Sequence, residues 1–479
     1  MRDAKGKTSR NVRVPKTMSS GAAGRSSAVE RCFLLALKVA VCGLAFVPFL
    51  LPAFGESANA DASATAAMFR GNAQHSGVYE ATGVAKLKGV KWTFHAQGEL
   101  ISSPAVDGTT LYVGSTGGLL YAVDRETGAE KWKFDAKSRI ASSPAVEGGI
   151  VYFGAYDGNF YAVDAASGKL KWKFTTGGER RFAAKHLHGT QPAAETMPDP
   201  FDCYLSSPVV WNGAVYFGSG DGNVYALDAG TGEVKWKFKT GDVVHASPAI
   251  ADGVVFIGSW DSYFYALDAA TGAEKWRFKT GEDAEIHNQV GIQSSAAVVD
   301  GVVYFGCRDS HLYAVDAQTG EKKWAFSTKE SWVISSPAVK GGKVYFATSD
   351  SGLLYQLDAK TGEADFSLSF QKWPTFSSPA IAGDMLYVGS NAGRLNVVDL
   401  ANRQTAWTFE TEAAKKNGPT YTKPDGTPNY AAAFKSDFYD DMIAGHNKML
   451  TIGQILSSPV VVDNVVYFGD TDGNFYALM

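Results

Sequence analysis

Cysteine is scarce in this chain: there are four in 479 residues, and two of them, Cys32 and Cys42, fall within the first 60. The others, Cys203 and Cys307, lie in distant parts of the sequence and make no disulfide framework. No two cysteines are adjacent, and no Cys-x-x-Cys-His occurs, which excludes covalently attached haem. The chain also lacks a P-loop, a dinucleotide-binding fingerprint and a Ser-His-Asp spacing. Positive charge is in short supply. Nine of the 45 basic and three of the 49 acidic residues fall in positions 1–60, leaving 36 basic against 46 acidic groups beyond them. With no basic stripe and a net charge near −10 for that remainder, nucleic acid is excluded as a partner.

Long apolar runs are lacking too, with one exception. Residues 1–31 are polar and basic, and an apolar stretch follows over 32–54, broken by Lys38, Pro48 and Pro52. Ala58-Asn59-Ala60 is a small-x-small site of the kind signal peptidase cuts. Residues 1–60 therefore read as a signal peptide cleaved after Ala60, with an uncleaved signal anchor as the alternative, since the run is long enough to span a bilayer. Val41 is too bulky for a lipid-attachment site at Cys42. The expected location is periplasmic or secreted, with membrane contact only through an uncleaved leader.

What the chain has in abundance is repetition. "SSPAVDGTTLYVGSTGGLLYAVDRETGAEKWKF" begins at Ser102, and "SSPAVEGGIVYFGAYDGNFYAVDAASGKLKWKF" begins at Ser142. Further copies start at Ser206, Ala246, Ser294, Ser335, Ser377 and Ser457, which makes eight. Trp92, Trp132 and Trp172 recur at intervals of 40 residues. Each copy reads as four strands. The Ser-Ser-Pro-Ala-Val segment has the small side chains an innermost strand needs near an axis. Two β-rich runs follow, and then Lys-Trp-Lys-Phe, with aromatics on one face and lysines on the other. Asp124, Thr127 and Gly128, with their counterparts, make the turn before that outer strand. Four-stranded units at this period predict an all-β, eight-bladed propeller of antiparallel blades.

The last copy stops at Met479 without an outer strand, while Lys91–Phe94 is an outer strand with no unit before it. Pairing the two predicts a last blade closed by both chain ends, which removes the open sheet edges. The propeller then covers 91–479, with 61–90 as an extended arm. Trp92, Trp132, Trp172, Trp236, Trp276, Trp324 and Trp407 are the structural docking tryptophans, and Phe366 takes that place in the unit beginning at Ser335.

The recurring "AVDRETGAEKWKF" resembles the tryptophan-docking repeat of the pyrroloquinoline quinone (PQQ) repeat superfamily, over residues 92–479. That superfamily includes quinoprotein alcohol and sugar dehydrogenases, and also the non-enzymatic propeller of outer-membrane protein assembly. The resemblance implies the fold and leaves function open. It makes PQQ with calcium a conceivable cofactor. The adjacent cysteines that close over PQQ in the alcohol dehydrogenases are absent here, and so is a haem motif.

Three insertions break the rhythm, over 178–205, 282–293 and 411–456. All fall between an outer strand and the next inner strand, which places them on one rim, and the third is expected to hold a short helix around 437–446. Seven of the eight histidines lie in or beside loops of that rim; His75 precedes the propeller. Candidate ligand- or partner-binding residues are His95, Arg139, Tyr156, His245, Trp260, His287, Arg308 and Trp332, because aromatics and arginine dominate binding hot spots. Candidate transition-metal ligands are His186, His188, Cys203, His245, His287, Cys307 and His311. Cys307 also aligns with Ser219 and Ser259, as a small buried residue would. Asp437, Asp440 and Asp441 are a weak calcium set. No catalytic residue is assigned. The expected role is an exported binding or scaffold protein of the envelope that contacts a protein, peptide or small ligand through the decorated rim. The alternative is a PQQ-dependent dehydrogenase or a metal-dependent oxidoreductase.

Overall fold

The structure, a computed structural model, describes residues 66–479. The expected leader and its cleavage after Ala60 lie outside the described residues. Eight sheets form the propeller. The first blade runs from inner to outer strand through Ala105–Asp107, Thr110–Gly114, Leu119–Asp124 and Glu130–Asp135. Middle strands are buried on both faces, so they read as continuous apolar runs. Outer strands alternate between half-buried aromatics and exposed polar residues. In the eighth blade, Val460–Val462, Val465–Gly469 and Asn474–Leu478 are completed by Val90–His95, with Trp92 opposite Ala477. The ring is closed by the two ends of the chain.

The tryptophans join each blade to the next. The indole N–H groups of Trp132, Trp172 and Trp236 donate to the carbonyls of Ala165, Ala229 and Ala269 at 2.9–3.0 Å, each on the following blade. The ring also lies flat on that blade's turn glycine. A Cβ on Gly168 would sit 2.5 Å from the Trp132 ring, and one on Gly232 2.6 Å from the Trp172 ring. These glycines have positive φ as well, so the turn and the docking surface require the same residue. Phe366 stands opposite Gln356, where six other blades place tryptophan opposite alanine and the seventh places Trp407 opposite Val397. The facing turn has lost its glycine to Arg403, whose guanidinium lies 5.7 Å from the Phe366 ring. Loss of the tryptophan and loss of the glycine are two sides of one contact.

Around the axis, the second serine of each Ser-Ser-Pro motif, or the serine aligned with it, links neighbouring blades. The backbone N–H of Ser103 donates to the hydroxyl of Ser143, Ser143 to Ser207, Ser207 to Ser247 and Ser247 to Ser295. The chain of bonds continues through Ser336, Ser378 and Ser458 and returns to Ser103. The ring of eight bonds explains why small residues open every repeat. Below it, residues 66–79 cross the undecorated face. Carbonyls of Ala66, Ala67, Ala73, Gln74, Ser76 and Gly77 each accept a backbone N–H from an inner strand of blades one, two, four, five, six and seven. Val78–Tyr79 then adds a parallel strand to the seventh blade. Arg70 is buried there and donates to Pro337 and, at 2.6 Å, to Pro379.

The junction after the fourth blade lacks a bond that four of its counterparts make. The hydroxyls of Tyr112, Tyr152, Tyr216 and Tyr304 donate to the same alanine carbonyl that accepts the docking indole. The fourth blade has Phe256 there, and Ala317 O receives only Trp276, at 3.1 Å. A groove of 820 Å³ opens beside Phe256 and Ala317. Phe256→Tyr is therefore expected to raise unfolding free energy by about 1 kcal/mol. An unchanged denaturation midpoint would show that the inter-blade hydroxyls contribute nothing.

Candidate functional site

The first insertion runs from the outer strand of the second blade across the top of the axis. It begins with the hairpin Ala183–Lys185 and Thr196–Pro198. Residues 199–205 then bridge distant blades: Phe201 O accepts from Gln293 Nε2 at 2.9 Å, and the Tyr204 hydroxyl donates to Leu456 O at 3.0 Å. Leu205 packs with Ile101, Ala141, Ile334, Phe376 and Leu456, which come from five separate blades. The axial space left between this cover and the serine ring is 40 Å³, room for about one water.

A buried charge network anchors the cover. Asp199 and Arg308 form an ion pair with both side chains inaccessible. The guanidinium lies 3.8 Å from the Trp332 ring centre and 4.8 Å from that of Trp260. The other oxygen of Asp199 accepts from Phe201 N at 2.8 Å and meets His188 Nε2 at 3.0 Å. Burial alone would raise the Asp199 carboxyl, but Arg308 and His188 outweigh it and hold it well below the usual range. His245 meets Asp202 at 2.7 Å and Glu179 at 3.3 Å. Burial would lower its pKa, but the two carboxylates outweigh burial and raise it to about 9, which makes it an imidazolium at neutral pH.

Beside this network lies an off-axis cavity of 550 Å³. All three insertions converge on it. The first supplies His188 and Phe201, and the second supplies Asn288 and Gln289. The third folds as α1 (Glu412–Tyr421), α2 (Tyr430–Ala433) and α3 (Tyr439–Leu450) and contributes Tyr430, Phe434, His446 and Met449. Its helix starts two residues later than expected and runs four residues further, and the two helices before it were unanticipated. Loops between blades complete the wall with Glu330, Trp332, Trp373, Phe376 and Asn391. Burial pushes the His446 pKa down to about 4, assisted by nearby Arg181, so it faces the cavity uncharged.

Of the residues singled out by sequence, Trp332 and His188 line this cavity. Arg308 is buried between the rings of Trp332 and Trp260, and His245 is buried beside the axial space. Arg139 lies over Tyr156 at 5.6 Å and borders a neighbouring 240 Å³ pocket with Cys203 and His446. His287 faces a separate 410 Å³ hollow beside Asp261 and Asp283. His95 bonds Asn474 on the eighth blade at 3.0 Å. The metal candidates are not assembled: among the described residues no group of three or more His, Cys, Asp or Glu is placed to hold a metal ion. His186 and His188 both lie in left-handed backbone, and His311 turns back onto Asp309 O at 2.9 Å. Cys203 and Cys307 are buried free thiols. Burial drives the Cys203 thiol up to about 12 and that of Cys307 well above its usual value, so neither is an activated nucleophile. Asp440 and Asp441 occupy the first turn of α3, where the helix dipole favours them.

The sequence reading missed Trp373, Phe376, Asn391, Glu330, Asp350, Tyr430 and Phe434. A usable signal existed for Phe376: it is an aromatic at the position before Ser-Ser-Pro, where neighbouring repeats place Ile101, Ala141 and Ile334.

PQQ, a flat tricarboxylate, fits this architecture poorly. The axial space is filled by 199–205, and the Trp260 ring is already stacked by Phe182, at 4.6 Å and 8°. The cavity that remains is lined by no lysine or arginine and exposes Glu330 and Asp350, the wrong charge for such a ligand.

No curated protein matches the sequence. Among solved structures, BamB from Moraxella catarrhalis is similar at 17% identity and a TM-score of 0.61, covering 82% of this chain and 100% of that one. A quinohemoprotein alcohol dehydrogenase from Comamonas testosteroni is similar at 14% identity and a TM-score of 0.62, covering 86% and 80%. A europium-containing methanol dehydrogenase is similar at 16% identity and a TM-score of 0.61, covering 87% and 98%. At these identities the likeness is one of fold. The family model described as outer membrane protein assembly factor BamB matches residues 84–196, 200–331 and 308–479, nearly the whole propeller, and the chain belongs to that family.

Proposed function

We propose that the protein is an exported, non-enzymatic binding component of the cell envelope, and that it engages its partner or ligand through the cavity on the decorated rim. The observation that carries this reading is the convergence of all three insertions on one aromatic-walled cavity of 550 Å³. Sites of this size and character are typical of ligand recognition. Membership in the BamB family supports the envelope setting, and the leader sequence supports export. The competing reading, a quinoprotein dehydrogenase, is disfavoured by the filled axis and by the charge of the cavity.

Two measurements test the proposal. Titration with PQQ, with and without calcium, is expected to show no binding at high micromolar cofactor; tight one-to-one binding would replace this reading with the dehydrogenase. A photo-crosslinking amino acid at Tyr430, on the cavity mouth, is expected to yield a specific adduct in native cells. The same group at Glu126, in the exposed turn before an outer strand, should not. Equal labelling from both positions would remove the rim from the proposal.

A further inference from the structure

The cavity has a one-sided chemistry. Its rim carries two carboxylates, Glu330 and Asp350, and neither forms an ion pair within 4.0 Å among the described residues. No lysine or arginine lines it. His446 faces it uncharged and with no hydrogen-bond partner among the described residues, Arg181 lies on its other side in the neighbouring pocket, and the charge of Arg308 is matched by Asp199. The walls are aromatic: Trp332, Phe376, Phe434 and Tyr430, the last 44% exposed. One buried polar group is unsatisfied: Asn391 is 8% exposed, and its side-chain oxygen has no partner. A carboxamide at a cavity wall can present its oxygen to an incoming N–H at the cost of a side-chain turn.

We propose that this cavity recognises a protonated alkylamine: the cation lies against the aromatic walls, Glu330 and Asp350 balance its charge, and the Asn391 carboxamide accepts an N–H. The proposal rests on the rim cavity being the contact site and adds the class of ligand. The physical reasons converge. An ammonium over an aromatic face gains from the ring quadrupole, more so when desolvated. The unpaired carboxylates raise the local cation concentration at the mouth. An anionic ligand would be repelled by both carboxylates, and a ligand without a donor would leave the buried amide oxygen unpaired.

The test uses the purified protein and three probes of one shape, 2-phenylethylammonium, 2-phenylethanol and 3-phenylpropionate, measured by calorimetry. The ammonium is expected to bind at least about tenfold more tightly than the alcohol, and the carboxylate most weakly. Replacing both rim acids, Glu330→Gln with Asp350→Asn, should weaken the ammonium about fivefold, leave the alcohol unchanged and remove most of the salt dependence. Equal affinity for ammonium and alcohol, or an ammonium affinity indifferent to the double substitution, overturns the proposal. Either result leaves the rim as a contact site, which the Tyr430 crosslink tests separately. A lysine-containing tripeptide amide that binds better than butylammonium identifies the source as a partner protein's lysine; the reverse order identifies a free amine.

Discussion

A chain that begins at Gly98 is expected to lose its cooperative thermal transition and to aggregate. Such a truncation removes Val90–His95, so the eighth blade ends at Asn474–Leu478 with an unpaired edge. It also removes Trp92, whose indole donates to Arg125 O at 3.0 Å and packs against Tyr467 and Phe475. That indole is the staple between the eighth and first blades, since a Cβ on Gly128 would lie 2.7 Å from it. The arm that ties the undersides of six blades goes as well. Trp92→Ala isolates the staple and is expected to cost about 3–5 kcal/mol, a large part of the about 5–15 kcal/mol that keeps a domain folded. Trp407→Ala should cost less, because among the described residues that indole makes no hydrogen bond and meets no glycine turn. Chemical denaturation of the two variants decides the matter: equal costs would mean that ring closure adds nothing to local packing.

The fold was legible because every blade states it locally. Eight copies of one pattern gave the blade number, the truncated final copy gave the closure, and Phe366 could be assigned without seeing Arg403 across the junction. The site was not legible, for a physical reason. Repeat-breaking residues stand out in a sequence, but their partners do not. His245 is conspicuous as a departure from Ile or Ala, yet its state is set by Asp202 and Glu179, which sit in an insertion without a pattern. Histidines and cysteines suggested a metal, whereas His188 and His245 meet carboxylates and no group of three or more ligands assembles among the described residues. Trp332 and Arg308 were visible as rim residues. That Arg308 is enclosed by two indoles depends on loops that meet only in three dimensions.

Asp199→Ala is expected to destabilise the protein by about 3–5 kcal/mol, because it leaves the Arg308 guanidinium buried without its counter-charge. The penalty has little route of escape. Arg308 Nε and Nη2 already lack partners, and Trp260 and Trp332 hold the guanidinium plane in place. Phe201 N and His188 Nε2 lose their shared acceptor in the same step, so the wall of the rim cavity loosens with the core. Removing both charges together, Asp199→Leu with Arg308→Met, is expected to cost less than Asp199→Ala alone, since apolar replacement of a whole buried pair is often close to neutral. The sign in pH follows from the depressed Asp199 carboxyl: its contribution is complete above the ordinary carboxylate range and is lost only as pH falls far below it. Urea denaturation of the single and double variants at neutral pH is the deciding measurement. Additive losses would show that Asp199 and Arg308 act independently, and the cover over the axis would then owe its position to its other contacts, from Gln293, Leu456 and His245.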